Sequence, residues 1–229
     1  MRVLFVHHDA NSGDGHVGRA FADLGAAPDV LQVCADPGSP VGSPDFPDPS
    51  GYDRVVLFGS RWSVDDPQVA HWVDPEIEFL RSADRAGVGV LGLCFGGQIL
   101  ASALGGTVGR TDHPEIGWHD VDVNDDGRAA GIEAGPWLQW HFDAFAVPGG
   151  AVELARSRAG AQAFSSGPHL GLQFHPEADR DVLEGWIVDD LDQLVDAGLD
   201  AEALLTGADR YFDDAAARAD RLVRRWLAH

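Results

Sequence analysis

The sequence predicts a three-layer α/β fold: a doubly wound, mostly parallel sheet with helices on both faces. Three observations lead there. Short apolar runs at 2–6 (RVLFV), 54–58 (RVVLF) and 88–93 (VGVLGL) are interleaved with stretches of helical periodicity, the alternation that builds parallel sheets through helical crossovers. The second half changes character, with alternating and aromatic-rich runs that read as antiparallel strands added to the sheet. No linker divides the chain, and its 229 residues are enough to bury a core without disulfide or metal staples. Residues 1–229 therefore read as one domain, with 178–229 a helical C-terminal extension.

The elements follow in order. Residues 2–6 form a first buried strand. His16 to Leu24 reads as a helix ended by Gly25. Residues 29–34 (DVLQVC) are a second strand, with Cys34 a core residue at its end. Residues 36–51 are rich in Pro and Gly and read as loop. Arg54 to Phe58 is the third strand, and a helix is expected from Pro67 to Ala86. Val88 to Leu93 is the fourth strand. A helix then runs from Gly96 to Leu104, stopped by Gly105 and Gly106. Gly117 to Val123 alternates, and Trp137 to Val147 is rich in aromatic and β-branched residues, so both are expected to be antiparallel strands. His169 to Phe174 is another core strand. From Asp181 the apolar positions turn helical: Val182, Trp186, Val188, Leu191 and Leu194, then Leu222, Val223, Trp226 and Leu227.

Composition narrows the function. Asp and Glu number 37 against 16 basic residues, a net charge of −21, and every basic residue is Arg. Nucleic acid and anionic membranes repel such a chain, and the lack of Lys removes Schiff-base and P-loop chemistry. No apolar run approaches the ~18 residues that span a membrane. The N-terminal MRVLFVHHD carries too short an apolar run for a secretory leader, so a cytoplasmic protein is expected. Cys34 and Cys94 are the only cysteines. They make at most one disulfide and no four-Cys zinc site, which fits a reducing compartment.

Chemistry concentrates in GVGVLGLCFGGQILASALGG, residues 87–106. A β-run ends at Leu93, Cys94 follows, and a helix begins at once. Gly92-Leu93-Cys94-Phe95-Gly96 is the glycine-flanked pattern of a nucleophile elbow with Cys as nucleophile. A side chain at its tip stands above the sheet at a helix N-terminus, whose partial positive charge favours thiolate over thiol. The Phe95 N–H is placed to hold an oxyanion. The general base is expected in Gln173-Phe174-His175-Pro176-Glu177, at the end of the last core strand. Pro176 keeps His175 extended, and residues two apart in an extended chain face one way. Glu177 can thus fix the His175 tautomer. Both strand ends lie at the carboxyl edge of a parallel sheet, where such sites form.

Other patterns carry less. Residues 87–92 match G-x-G-x-x-G but precede and occupy a strand, whereas a dinucleotide fingerprint follows a strand and opens a helix. Asp122-Val123-Asn124-Asp125-Asp126-Gly127 with Glu133 matches a calcium loop. A strand rather than a helix leads into it, so a hairpin turn is expected there. His7-His8-Asp9 follows a strand, without a zinc-type His pair to support it. No metal is expected. The acidic stretch from Asp179 to Asp220 reads as the solvated face of packed helices.

G-L-C-F-G-G-Q followed by G-L-Q-F-H-P-E closely resembles the class I, Cys-His-Glu glutamine amidotransferases. Glu115-Ile116-Gly117-Trp118 and Gln139-Trp140-His141-Phe142-Asp143 are similar to their stand-alone branch. The resemblance implies Cys94 as nucleophile, His175 as base and acid, and Glu177 as orienter. It implies Phe95 and Ser60 as oxyanion donors, and Gly59, Gln98, His141 and Asp143 as substrate-binding positions. No cofactor is implied. The family's Gly-Gly-Pro oxyanion loop is here Gly59-Ser60-Arg61-Trp62-Ser63, which lacks the second Gly and the Pro, so a slack loop and slow hydrolysis before a partner binds are expected. Phe142 stands where the family often has Gly. The implied activity is hydrolysis of the glutamine side-chain amide, with ammonia delivered to a synthetase or other acceptor in trans. The same triad also serves γ-glutamyl peptidases and hydrolases, and the same fold serves silent binding modules.

Overall fold

The computed structural model describes residues 1–10, 12–36, 38–196 and 198–228; His229, the last residue of the expected extension, lies outside the described residues. One nine-stranded sheet runs through the molecule in the order β2-β1-β3-β4-β9-β8-β7-β5-β6. Its parallel half comprises β1 (Val3–His7), β2 (Asp29–Gln32), β3 (Arg54–Leu57), β4 (Gly89–Leu93) and β9 (His169–Leu172). The strands β5 (Val108–Val123), β6 (Gly135–Phe145), β7 (Val152–Ser157) and β8 (Gly160–Ser166) continue it with antiparallel pairings.

The strand sequences dictate the layers. Apart from the exposed edge strand β2, the parallel strands are apolar at most positions, so alternate residues serve opposite faces. Val3, Phe5, Val56, Phe58, Leu91 and Leu93 point into one core with Val17, Ala20 and Phe21 of α1 (Gly15–Asp23). Leu4, Val6, Val55, Leu57 and Val90 point into the other, against α2 (Ala70–Ala86) and α3 (Phe95–Ala103). The short helix α4 (Asp125–Ala129) joins β5 to β6, and α5 (Arg180–Asp189), α6 (Leu191–Asp196) and α7 (Ala201–Leu227) close the chain. Ala215, Ala219, Leu222, Val223 and Trp226 recur on one stripe of α7 and belong to the first core. The last turns of the expected extension are therefore part of the sandwich, beside α1. No helix among the described residues is long and apolar enough to cross a membrane.

Some boundaries differ from the sequence reading. The second strand stops at Gln32, and Cys34 turns into a lone bridge with Gly42. The second helix begins at Ala70 rather than Pro67. Where a hairpin turn was expected after Val123, α4 forms instead. Asn124 caps it, accepting from Gly127 N at 2.8 Å, and Arg128 pairs with Asp125. These contacts wind the acidic segment into a helical turn.

The register positions the site. Leu57 pairs with Gly92, Gly92 with Gly171, and Val6 with Leu57, so β1, β3, β4 and β9 end side by side. The residues just beyond them, including Asp9, Gly59–Ser60, Cys94 and His175, emerge along one carboxyl edge.

Candidate active site

Cys94 sits at the junction of β4 and α3 with φ 51° and ψ −108°, the only non-glycine residue with positive φ among the described residues. Such a conformation costs about 1–3 kcal/mol and persists only when its surroundings impose it. Here they do. The Cys94 N–H donates to Leu172 O at 2.9 Å, and its carbonyl accepts from Gln98 N at 2.9 Å. The flanking glycines let the turn close. A Cβ on Gly92 would lie 2.3 Å from Gly96 O, and one on Gly96 would lie 2.3 Å from Leu57 O. The Sγ approaches Trp140 O at 3.8 Å and accepts from Gln173 Nε2 at 3.6 Å.

His175 and Glu177 meet as the alternation predicts. Glu177 Oε1 lies 2.7 Å from His175 Nδ1, and both side chains are buried. The ring packs edge-on against Trp186 at 4.6 Å. Burial opposes charge on the imidazole, but the neighbouring Glu177 and Cys94 charges outweigh it, with the hydrogen bond to Glu177, and hold the pKa up to about 10. Nε2 has no partner within normal hydrogen-bond limits, although Cys94 is close enough to act on it. Loose contacts of this kind are common before substrate binds. The backbone around Glu177 is also fixed, since its carbonyl accepts from His16 N at 2.8 Å.

A cavity of about 150 Å³ opens over the pair and is lined by Cys94, His175, Gly59, Gln98, Asp143 and Arg110, among others; an apolar cavity of about that size admits a benzene-sized molecule. Gly59 packs against both side chains: a Cβ there would lie 3.1 Å from His175 Cε1 and 3.9 Å from Cys94 Cβ. The Ser60 peptide follows directly. In place of the missing Pro, side-chain contacts hold this loop. Asp9 accepts from Arg61 N at 2.8 Å and from Ser60 Oγ at 3.4 Å. The Arg61 guanidinium meets Asp190 at 2.5 Å, and the Ser63 hydroxyl donates to Asp143. Phe95 is the first residue of α3, so its N–H has no acceptor within the helix.

The remaining sequence-derived positions are present, with different tasks. Gln98 lines the cavity, and its amide nitrogen donates to Asp143 O at 3.0 Å and Gln173 Oε1 at 3.3 Å. His141 also borders the cavity, but both ring nitrogens are occupied, by Asp143 O at 3.0 Å and Glu115 Oε2 at 3.3 Å. It braces strand ends rather than offering a free nitrogen to a ligand. Burial works to raise the Glu115 pKa, and hydrogen bonds from His141 and Ser157 overcome it, leaving the carboxyl below its ordinary range. His8 is likewise spent internally. Both of its partners, Phe58 O at 3.0 Å and Glu76 Oε1 at 2.9 Å, are acceptors, and despite its burial the Glu76 charge keeps its pKa raised. Among the described residues no group of three or more His, Cys, Asp or Glu could hold a metal ion.

Sequence reasoning left three contributors unassigned: Asp9, Gln173 and Trp186. Asp9 and Gln173 carried a usable signal, each lying at the carboxyl end of a parallel strand. Trp186 read only as one apolar position in a helix.

Comparison with known proteins agrees with this geometry. The family model for glutamine amidotransferase class-I matches residues 17–189. The chain is 36% identical over 143 residues to a glutamine-hydrolyzing GMP synthase of Aeropyrum pernix, aligning 58% of this chain with 27% of that one. It is 34% identical over 136 residues to one subunit of the glutamine-hydrolyzing GMP synthase of Saccharolobus solfataricus, 55% of this chain and 68% of that one. The chain thus spans about a quarter of the length of the first of these relatives. Among solved structures, a glutamine amidotransferase from Thermotoga maritima superposes with a TM-score of 0.87 at 26% identity, covering 100% of this chain and 99% of that one. A family match over about three quarters of the chain, spanning both the elbow and the His-Pro-Glu strand end, places this protein in the class I glutamine amidotransferase family.

Proposed function

We propose that the chain hydrolyses the side-chain amide of glutamine through a Cys94 thioester and yields ammonia to an acceptor enzyme in trans. The observation that carries this reading is the convergence of Cys94, His175 and Glu177 at one sheet edge, with His175 Nδ1 held at 2.7 Å by Glu177. The Cys94 thiolate attacks the carboxamide carbon, and the N–H groups of Phe95 and Ser60 receive the developing oxyanion. His175, protonated at Nε2, gives that proton to the departing nitrogen, and ammonia leaves. Water then loses a proton to His175 and attacks the thioester, giving glutamate and the free thiol. Gly59, Gln98 and Asp143 border the space for the glutamine side chain, and His141 holds Asp143 in place. The transfer in trans is supported by the Saccharolobus solfataricus relative, whose name marks it as one subunit of its synthase.

The test is glutamate release from glutamine by the purified chain, beside a panel of γ-glutamyl amides. Glutamine turnover that Cys94→Ala lowers by about 10³-fold or more is expected. Turnover of a γ-glutamyl peptide with glutamine a poor substrate would overturn the reading in favour of a γ-glutamyl hydrolase. Turnover that survives in Cys94→Ala would remove the thioester altogether.

A further inference from the structure

Nothing in the reaction just described uses Asp9, yet it is the carboxylate that grips the backbone of the loop beside the nucleophile. It lies two residues beyond the end of β1, half-buried at the carboxyl edge. One oxygen accepts the Arg61 backbone N–H at 2.8 Å, and the other accepts the Ser60 hydroxyl at 3.4 Å. The same Ser60 hydroxyl accepts the Trp62 N–H at 3.3 Å. Three consecutive loop residues therefore hang on one side chain, two directly and one through a hydroxyl. Hydrogen bonds to an ionised acceptor are roughly twice as strong as neutral ones, so a carboxylate is a fitting anchor for a short loop outside the sheet ladder.

What the anchored segment adjoins gives the contact its meaning. Gly59 is packed against His175 and Cys94, within 3.1 Å and 3.9 Å of an added Cβ. The Ser60 peptide is the next unit of chain, so its orientation decides whether a second N–H faces the carbonyl oxygen of a bound amide. We propose, resting on the thioester reading above, that Asp9 is a positioning residue of the oxyanion hole, setting the Ser60 peptide by holding Arg61 N–H and Ser60 Oγ. Its own negative charge opposes an oxyanion, so its contribution is geometric: it orients donors and touches no substrate.

Two reagents separate that role from general support of the fold. p-Nitrophenyl acetate acylates a thiolate through a tetrahedral oxyanion, whatever amide the enzyme uses. Iodoacetamide alkylates the same thiolate by displacing iodide, and no oxyanion forms. Rates of both at Cys94 are measured in the full chain and in Asp9→Ala and Asp9→Asn. Asp9→Ala is expected to slow acylation by about tenfold or more, since one such donor is worth roughly 10²–10³, with alkylation within about twofold of the parent. Asp9→Asn keeps an oxygen for Arg61 N–H and is expected to recover most of the acylation rate. Acylation unaffected in Asp9→Ala, or acylation and alkylation falling in parallel, would overturn the proposal. If Asp9→Ala fails to fold, Asp9→Glu gives the same contrast, because an added methylene displaces the carboxylate. Failure of the glutamine reading would show separately, as an unmodified chain that is acylated by the ester but turns over no glutamine.

Discussion

A diazoketone analogue of glutamine is expected to label Cys94 and to spare Cys34, with mass mapping of the adduct as the check; label on Cys34 would sink the assignment. Both thiols are buried, so exposure does not separate them. Burial pushes the Cys34 pKa up to about 11, and the Asp9 and Glu76 charges push the same way, which leaves it a protonated filler at neutral pH. Cys94 instead opens into the cavity beside a protonated imidazole. That imidazole yields a second test. The His175 pKa is raised from 6.5 to about 10 in the folded protein, so folding favours the proton. Its contribution to stability is complete below about pH 6.5 and is lost as pH rises through about 10. The gap in urea midpoint between the parent and His175→Ala is therefore expected to narrow across that window, and acylation by glutamine to fall on its alkaline side. A constant gap would mean the pair is not ionised. Removing the base is also expected to cost roughly 10²-fold more acylation rate than removing its orienter in Glu177→Ala, because an unrestrained imidazole still samples the productive pose. Equal losses would give Glu177 a larger part than orientation.

The turn between β4 and α3 shows what a motif costs an element. Gly96→Ala would set a Cβ 2.3 Å from Leu57 O, a backbone atom of the neighbouring strand that has no rotamer to give. A loss of at least ~2 kcal/mol is expected, or about 4–8 °C in Tm at this length. Gly185→Ala is the contrast: nothing lies within 4 Å of its Cβ position, inside α5. It is expected to be neutral or to stabilise by up to ~1 kcal/mol through helix propensity. A Gly96→Ala chain as stable as its parent would mean that β3 and α3 are less tightly packed than drawn. The same contrast explains what the sequence discloses. The inner parallel strands and the elbow are legible because they are apolar at most positions and punctuated by glycines whose absence would produce clashes. The bulged first half of β5, where the register shifts between Arg110 and Glu115, gives no strand signal in the sequence because its polar residues mostly face solvent. α4 is hidden for another reason. Its helix rests on one Asn124 cap and the Arg128–Asp125 pair, while the acidic run spells a metal loop. In the site, the triad is legible from local spacing. The position of Asp9 at a strand end is legible too, but its contact is not, because its grip on Arg61 spans 52 positions of sequence and exists only once β1 and β3 are paired.

At the scale of the molecule, the charge of −21 meets a fold that buries some charges and strands many others. The His175–Glu177 pair is enclosed, with side chains 4% and 1% exposed, so added salt scarcely reaches it. Outside, Arg221 meets Glu133 at 2.6 Å and Arg224 meets Asp220 at 2.9 Å. Exposed pairs of this kind are each worth about 0–1 kcal/mol and weaken as salt screens them. Against them stands the mutual repulsion of carboxylates that 16 arginines cannot match one for one against 37. Repulsion acts between many charges at long range, whereas each ion pair acts once at short range. Screening therefore relieves more repulsion than it removes attraction, since the Debye length falls from about 30 Å at 10 mM to under about 8 Å above physiological ionic strength. The Tm is thus expected to rise by several degrees between 10 mM and 500 mM sodium chloride, followed by thermal unfolding at fixed pH. α7 shares a core with α1 and the sheet, so the rise should appear as one shifted transition rather than two. A Tm that falls with salt would show that the surface arginine pairs outweigh the repulsion. A second transition moving alone would show that the C-terminal helices are held to the sheet less by their apolar stripe than by charge.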